Sequence, residues 1–176
     1  MTEIVIRDAM PGDAGRIAEL YAPFVNETAI SFEEVPPDEA EFRDRISAAQ
    51  EHHAWLVLET DGAFRGYAYA TRFRGRAAYD WTCETAIYLD AAVRGRGLGH
   101  ALGGALLERV ETLGYRSAIA GVALPNAPSQ ALHERLGYRP VGTVERAGWK
   151  FGRWHAIEFW ERPLGASPGG RRPGRS

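Results

Sequence analysis

A glycine-rich segment in the middle of this sequence restricts the folds that the chain can adopt. The segment reads Arg94-Gly95-Arg96-Gly97-Leu98-Gly99. An apolar run typical of a strand, residues 82–89, precedes it, and the apolar residues that follow recur at helical spacing until Gly114. Between a strand and a helix, glycines let backbone N–H groups approach an anion at the helix N-terminus. The interleaved arginines add donors for phosphate oxygens and favour a phosphate-binding loop over a tight turn alone.

Two common nucleotide-binding motifs do not fit this loop. The dinucleotide pattern G-x-G-x-x-G fails because His100 stands where the third glycine is required. The P-loop pattern fails because no Gly-Lys-Ser/Thr follows. A nucleotide-binding protein is therefore a distant alternative.

The other segments alternate between strand-like and helix-like patterns. Predicted strands cover residues 4–6, 54–59, 64–73, 82–89 and 117–122, with late strands around Val141, Val144, Phe159 and Trp160. Helices are predicted from Ala14, where Pro23 ends or bends the helix, from residues 36–38, and after Asn126. Asp61-Gly62 is typical of a hairpin turn, so the chain is expected to have an α+β fold with antiparallel strand pairs.

Composition excludes several classes of protein. With 176 residues, 45% of them hydrophobic and 25% charged, the chain is expected to form one domain over residues 1–164. Residues 165–176 contain no large apolar side chain, which predicts a disordered tail. A net charge of -2 gives no reason to expect nucleic acid or an anionic membrane as a partner, and no apolar run is long enough to span a bilayer.

The cysteine and histidine residues indicate a reducing compartment and give no sign of a metal site. Cys83 is the single cysteine, so it has no partner for an intrachain disulfide, and a cytoplasmic location is expected. His52 and His53 are adjacent and face opposite ways on any regular element, so they do not form a metal site. We expect no metal cofactor.

The glycine loop and a second segment resemble the GCN5-related N-acetyltransferase (GNAT) superfamily. Residues 94–99 are similar to the Q/R-x-x-G-x-G/A pattern, which in that family binds the pyrophosphate of acetyl-CoA. The second segment, Asn126 to Ser129 with His133 and residues 136–138, is similar to the N-x-x-A/S helix and its Gly-Phe/Tyr turn. Residues 79–85, 124–126, 132–134 and 148–155 look like the phosphinothricin N-acetyltransferase branch, and the likeness runs from about residue 3 to about residue 162.

This resemblance implies a fold and a donor. The fold is a mostly antiparallel, twisted, mixed sheet flanked by helices and splayed at the acetyl-CoA site, and the donor is acetyl-CoA. The residues implied to bind it are the loop with the start of its helix, the splayed strand and the second segment: Arg94, Gly95, Arg96, Gly97, Leu98, Gly99, His100, Ile87, Tyr88, Leu89, Asn126 and Ser129. A homodimer is also implied. The segment with Lys150, Trp154 and His155 resembles one near the subunit contact, but the sequence assigns these residues no role.

Acetyl transfer to an amine needs a base, because amino acids are mostly protonated at neutral pH. Glu84 is the candidate base, acting directly or through water, since the corresponding glutamate of the family is catalytic; Asp80 is the runner-up. His133 stands where the broader superfamily often has a tyrosine that protonates the leaving thiolate, so it is expected to act as an acid or a second base. Cys83 alternates with Glu84 along the strand and faces the other side of the sheet, which disfavours a covalent acyl-enzyme.

The acceptor is expected to be a small amino acid. Arg76 matches the substrate arginine of the phosphinothricin branch by its spacing to Tyr79, and a guanidinium binds a carboxylate or phosphinate in bidentate fashion. Tyr79 and Phe32 are candidate walls of that pocket. The implied acceptors are phosphinothricin, methionine sulfoximine or a similar amino acid. The alternatives are a protein N-terminus, a polyamine or an aminoglycoside as acceptor, or a non-catalytic acyl-CoA sensor.

Overall fold

A computed structural model describes residues 2–165 and residue 173. In this part of the chain the elements are β1 Ile4–Asp8, α1 Ala14–Glu27, α2 Glu39–Gln50, β2 Trp55–Thr60, β3 Ala63–Arg72, β4 Thr82–Leu89, α3 Leu98–Thr112, β5 Ser117–Ala123, α4 Ala127–Arg135, β6 Arg139–Lys150 and β7 Arg153–Pro163. The expected tail, residues 165–176, lies outside the described residues except for Gly165 and Pro173. No helix in the described part is long and apolar enough to cross a bilayer.

The strands form one mixed sheet in the order β1-β2-β3-β4-β5-β7-β6. Neighbouring strands are antiparallel except β4 and β5, which are parallel. The parallel pair requires a crossover, and α3 with the loop before it supplies that crossover. The expected α+β fold with a mostly antiparallel sheet is confirmed.

Local sequence chemistry explains where several elements begin and end. Asp61 and Gly62 both have positive φ, 50° and 76°, which is the geometry of the tight turn that joins β2 to β3. Asp38 caps α2, because its carboxylate accepts the backbone N–H of Glu41 at 2.9 Å. Pro23 lies inside α1 and does not end it, since the helix continues to Glu27.

Helices cover both faces of the sheet and form two apolar clusters. One cluster lies between the sheet and α1 with α2, and its buried members include Ile17, Tyr21, Phe42, Trp55 and Tyr67. The other lies between the sheet and α3, and it includes Leu102, Leu106, Cys83, Tyr138 and Trp160. Because side chains alternate along a strand, β2, β3 and β4 each contribute to both clusters.

The sheet opens between its two parallel strands. Pairing of β4 with β5 is limited to Thr82, Cys83 and Glu84 against residues 117–119. Beyond Glu84, β4 continues to Leu89 beside β3 only, while β5 continues beside β7. The backbone of β4 from residue 85 onward therefore has one edge free of β-sheet partners, as expected for a sheet splayed at the donor site.

Candidate active site

A cavity of about 620 Å³ lies where β4 has separated from β5. Its walls come from the end of β4, the glycine loop with the start of α3, and α4. The last turns of α1 and the segment after it complete the wall. The lining residues are Phe24, Ile30, Ile87, Tyr88, Leu89, Arg94, Gly95, Gly97, Gly99, His100, Asn126, Pro128, Ser129, Ala131, Leu132, Glu134 and Arg135. Ten of the twelve residues predicted from the sequence to bind acetyl-CoA are among them, all except Arg96 and Leu98.

The glycine loop has a backbone that only glycine adopts without strain. Gly95 and Gly97 have φ of 75° and 78°, and Gly97 is the N-cap of α3. A Cβ atom added to either glycine would meet no protein atom within 4 Å, so packing does not require these glycines. Their role is to turn the chain and leave the N-terminus of α3, with its unpaired N–H groups, open to a ligand.

Other residues of the loop act through packing or charge. A Cβ on Gly99 would lie 3.0 Å from Leu89 Cδ1, so this glycine lets α3 begin close to the end of β4. Leu98 is buried in the apolar cluster beneath α3, and its side chain is not part of the cavity wall. Arg96 is exposed at the loop surface. Arg94 lies over the Phe24 ring, with its guanidinium carbon 5.6 Å from the ring centroid.

The cavity suits an extended ligand with an anionic end. Arg94 and Arg135 bring two positive charges to the cavity wall against the one acidic residue that the described part of the chain contributes there, Glu134, and the helix dipole at the start of α3 also favours negative charge. From there the free edge of β4 offers the backbone N–H and C=O groups of Ile87 and Leu89, whereas those of Tyr88 face β3. Phosphates at the loop and an amide-containing arm along the strand fit this donor set, which is the chemistry of acetyl-CoA.

Glu84 lies at the point where the two parallel strands separate. It is the last residue of β4 that is paired with β5. Although the side chain is exposed, partial burial of its carboxyl raises the pKa of Glu84, and the positive charge of Arg74 opposes this shift. A carboxylate with a raised pKa is a better proton acceptor from an ammonium group than an ordinary surface glutamate.

Cys83 is not placed for covalent chemistry. It is fully buried in the cluster beneath α3, on the face of the sheet opposite to Glu84, as the alternation along β4 predicts. Burial raises the pKa of its thiol to about 12, so the thiolate is scarce at neutral pH.

His133 is buried on the inner side of α4 and does not line the cavity, whereas Asn126 and Ser129 do. Its Nδ1 donates a hydrogen bond to the Ser129 carbonyl at 2.8 Å, and its ring packs edge-on against Tyr138 at 5.1 Å. Burial lowers the pKa of His133, which favours the neutral imidazole. Tyr138 hydrogen-bonds Thr85, so His133 and Glu84 lie on opposite faces of β4.

The predicted acceptor residues Arg76 and Tyr79 lie on the loop between β3 and β4. Arg72 and Asp80 fix the two ends of this loop through an ion pair of 3.4 Å. Arg76 is exposed and forms no ion pair within the described part of the chain. The Tyr79 ring packs edge-on against Phe73 at 5.8 Å. The loop therefore presents a free guanidinium and an aromatic wall on an anchored segment.

Phe32, the other predicted wall, comes from the segment after α1. It is half-buried against the β6–β7 hairpin, where a Cβ on Gly148 would lie 2.7 Å from the ring. Its ring centroid is 6.3 Å from that of His155. Glu84, His133, Arg76, Tyr79 and Phe32 are all outside the wall of the donor cavity. The structure thus separates the predicted donor residues from the predicted acceptor residues.

Sequence reasoning missed several groups near the candidate site. Phe24, Ile30, Leu132 and Arg135 line the cavity but were not among the predicted donor-binding residues. Leu132 and Arg135 lie in α4, the helix whose motif was recognised, so helical spacing from Ser129 could have found them. Phe24 and Ile30 carry no local signal, because only the tertiary fold brings the end of α1 to this cavity.

Replacement of Gly97 by alanine is expected to weaken acetyl-CoA binding. Forcing a Cβ into a left-handed conformation costs roughly 1–2 kcal/mol, or about 5- to 30-fold in affinity if the loop relaxes away from its binding geometry. Calorimetric titration with acetyl-CoA measures this change. Gly104→Ala is the matched control, because Gly104 lies within α3 with no positive φ and no atom near its Cβ position. Equal affinity of both variants would show that the conformation of Gly97 is unimportant for binding.

Within the described residues, no three His, Cys, Asp or Glu side chains are grouped so that they could hold a metal ion.

Known proteins resemble this chain over nearly all of its length. The profile of the acetyltransferase (GNAT) family matches residues 17–138. The chain is 37% identical to the phosphinothricin N-acetyltransferase of Streptomyces viridochromogenes, over 97% of this chain and 94% of the relative. It is 33% identical to the L-methionine sulfoximine/L-methionine sulfone acetyltransferase of Pseudomonas aeruginosa, over 90% of this chain and 94% of the relative.

A solved structure shares both fold and sequence. The GNAT superfamily phosphinothricin acetyltransferase from Sinorhizobium meliloti, solved in complex with acetyl-CoA, superimposes with a TM-score of 0.90 at 37% identity. The superposition covers 96% of this chain and 92% of that chain. The described fold is therefore one that holds acetyl-CoA in a similar protein.

Proposed function

Because this chain belongs to the acetyltransferase (GNAT) family, we propose that it transfers the acetyl group of acetyl-CoA to the α-amino group of phosphinothricin, methionine sulfoximine or a similar small amino acid. It is an N-acetyltransferase. One observation supports the reaction more than any other: Glu84 stands where β4 and β5 separate, on the same strand whose free edge leads to the glycine loop. The proposed base and one wall of the donor cavity therefore belong to the same strand, β4.

The spacing along β4 suits the length of the donor. Glu84 and Tyr88 point to the same face and are four residues apart, which is about 13 Å along a strand. The cavity wall begins at Ile87 and continues to the N-terminus of α3. An arm bound along this edge, with its phosphates at the glycines, brings its far end toward Glu84.

Glu84 is proposed to accept the proton of the acceptor ammonium, directly or through one water. The neutral amine then attacks the thioester carbonyl, and negative charge develops on the acetyl oxygen. As the intermediate collapses, the C–S bond breaks and CoA leaves as the thiolate, which takes up the proton that the new amide nitrogen loses, directly or through water.

Backbone N–H groups of Ile87 or Leu89 on the free edge of β4 are the proposed donors to the acetyl oxygen. The N–H of Tyr88 points the other way, toward β3, like that of Asp90, which bonds the Arg65 carbonyl. No covalent enzyme intermediate is needed, in agreement with the buried thiol of Cys83.

We propose that His133 acts with its imidazole ring in the neutral form. Its Nδ1 proton is committed to the Ser129 carbonyl, and its lowered pKa leaves the ring uncharged at neutral pH. A neutral imidazole can accept a proton but holds no extra proton to give. Because the ring is also buried outside the cavity wall, its contacts favour a positioning role over the two roles expected from the sequence, acid and second base.

The identity of the acceptor follows from Arg76 and from the relatives. A free guanidinium on an anchored loop suits a carboxylate, and it disfavours a polyamine or an aminoglycoside by like-charge repulsion. The similar proteins are named for phosphinothricin, methionine sulfoximine and methionine sulfone, all of which are small amino acids. Arg76 and these names together support the proposed acceptor class.

A thiol-release assay tests this proposal. The enzyme is incubated with acetyl-CoA and, separately, with phosphinothricin, methionine sulfoximine, methionine sulfone, glutamate, spermidine, kanamycin or an N-terminal peptide. We expect CoA release confined to the small amino acids, in a one-to-one ratio with acetylated product. Turnover of spermidine, kanamycin or the peptide alone would keep the reaction but overturn the acceptor class. Acetyl-CoA binding without turnover of any amine would favour an acyl-CoA sensor.

A homodimer and a cytoplasmic location are part of the proposal. β6 is an edge strand of 12 residues, and large apolar side chains on the β6–β7 hairpin are about half exposed: Val141, Val144, Trp149, Phe151 and Trp154. Long apolar edges are a hazard for a monomer and are normally covered. A second copy of this chain can cover this face symmetrically, since one patch then meets itself. The single buried cysteine is consistent with a reducing compartment.

A charge introduced on the exposed apolar face of the β6–β7 hairpin is expected to dissociate the proposed dimer. In Trp149→Glu, two like charges would meet across the two-fold contact, and the burial of two indole rings would be lost. Sedimentation velocity is expected to show dimers for the unchanged protein and monomers for the variant. Leu113→Glu changes another exposed apolar side chain, directly after α3, and should leave the mass of the assembly unchanged. A monomeric unchanged protein would refute this assignment of the face.

A further inference from the structure

Lys150 is a buried cation whose contacts serve a distant part of the chain. It is the last residue of β6, and only 6% of it is exposed. Its ammonium donates hydrogen bonds to the carbonyls of Val25 at 2.6 Å, Thr28 at 2.9 Å and Ser31 at 2.8 Å. An ammonium has three protons, so these carbonyls use its full hydrogen-bonding capacity.

The first of these contacts completes the C-terminus of α1. The last carbonyls of a helix lack partners within the helix and favour a nearby cation. No basic residue lies in the last turn of α1, and the Thr28 hydroxyl occupies the Phe24 carbonyl at 2.6 Å. Lys150 supplies the missing positive charge and bonds Val25, from 125 residues further along the chain.

The other two contacts hold the segment that follows, residues 28–33, which we call the α1 exit segment. This segment carries Ile30, which lines the donor cavity, and Phe32, the predicted acceptor wall. The β6–β7 hairpin also supports Phe32 directly, because Gly148 lies against its ring. His155 Nε2 donates to the Lys150 carbonyl at 2.9 Å, which fixes the backbone from which the lysine extends.

We propose that Lys150 is a positioning residue for the acetyl acceptor. By binding Val25, Thr28 and Ser31, its ammonium fixes the α1 exit segment so that Phe32 and Ile30 keep their places between the donor and acceptor sites. This inference rests on the proposed function, since Phe32 matters to turnover only if a small acceptor binds beside it.

The chemistry of the contact explains why a lysine is used there. Burying a cation is costly unless its hydrogen bonds are replaced, and three carbonyls from one short stretch of chain replace them all. A shorter or apolar side chain would leave these carbonyls without a donor. An arginine keeps the charge, but its planar fork does not reproduce three contacts converging on one nitrogen.

Lys150→Met tests the inference by removing the charge at nearly constant length. A displaced wall is expected to raise the KM of the best amino acid acceptor about tenfold, as small misplacements do in active sites. The Kd of acetyl-CoA, measured by calorimetry, is expected to change less than the acceptor KM, because Ile30 is the one residue of the α1 exit segment in the cavity wall and the glycine loop belongs to other elements. Amide hydrogen exchange over residues 28–33 is expected to accelerate while exchange in α3 stays unchanged.

Val110→Ala is the matched control for lost stability. Val110 is fully buried in α3, away from the α1 exit segment, so this variant should lose stability without a change in acceptor KM. If Lys150→Met does not fold, Lys150→Arg is measured in its place, with the same expected rise in acceptor KM. An unchanged acceptor KM and unchanged exchange at residues 28–33 would overturn the inference. The proposed function is tested separately by the thiol-release assay of the unchanged enzyme with the same set of amines. Turnover there together with an unaffected Lys150→Met variant would overturn only the inference about Lys150.

Discussion

Replacement of Glu84 by glutamine is expected to lower kcat by about 10²- to 10⁴-fold, the usual contribution of a general base. Glutamine keeps the size and much of the hydrogen bonding of glutamate but cannot accept the ammonium proton. Acetyl-CoA affinity should remain, because Glu84 lies outside the wall of the donor cavity. Stopped-flow or steady-state thiol release measures kcat, and calorimetry measures the Kd of acetyl-CoA.

Asp80→Asn is the matched control, because Asp80 is the runner-up base and lies on the neighbouring loop. It pairs with Arg72, so its loss should loosen the loop and reduce kcat/KM less than about tenfold. An unchanged kcat in Glu84→Gln, or a larger loss in Asp80→Asn, would move the base assignment from Glu84 to Asp80.

The pH profile gives Glu84 a second, independent signature. The base must be ionised to accept a proton, so activity should fall as pH decreases through its raised pKa. Arg74 opposes that rise, and its removal in Arg74→Gln should move the acidic limb of kcat/KM to higher pH. In Glu84→Gln the same limb should disappear.

Arg76→Gln is expected to lower kcat/KM for phosphinothricin or methionine sulfoximine by about 10- to 100-fold. A hydrogen bond to a charged group is worth about 1.5–3 kcal/mol, and the loss should appear mainly in the acceptor KM. The KM of acetyl-CoA should stay constant, since Arg76 is not in the donor cavity. Initial rates with each substrate varied in turn provide both constants.

Arg74→Gln is the matched control for Arg76→Gln, because it removes the same positive charge two residues earlier in the loop. We expect it to shift the pH profile without a large rise in acceptor KM, whereas Arg76→Gln should do the opposite. If both variants raise the acceptor KM equally, the loop attracts the carboxylate by net charge and not through a bidentate contact with Arg76.

The sequence alone determined the parts of this protein that depend on neighbouring residues. Strand, glycine loop and helix over residues 82–114 appear where periodicity predicted them, because Gly95 and Gly97 occupy backbone conformations that other residues avoid. The motif around Asn126 likewise places its cap and Ser129 at the cavity. The family and its donor follow from these local patterns. Of the two effects expected of Pro23, ending the helix is contradicted, since α1 passes through it and continues to Glu27.

Only the tertiary structure decided which distant residues meet. The burial of His133 against Tyr138, on the face of β4 opposite to Glu84, cannot be read from helical spacing, because spacing does not say what a helix face packs against. Lys150 contacts a part of the chain more than 100 residues earlier, and Phe24 of α1 and Ile30 of the α1 exit segment reach the cavity from that same part. Side-chain partners of this kind are fixed by the packing of whole elements, and no local pattern encodes that packing.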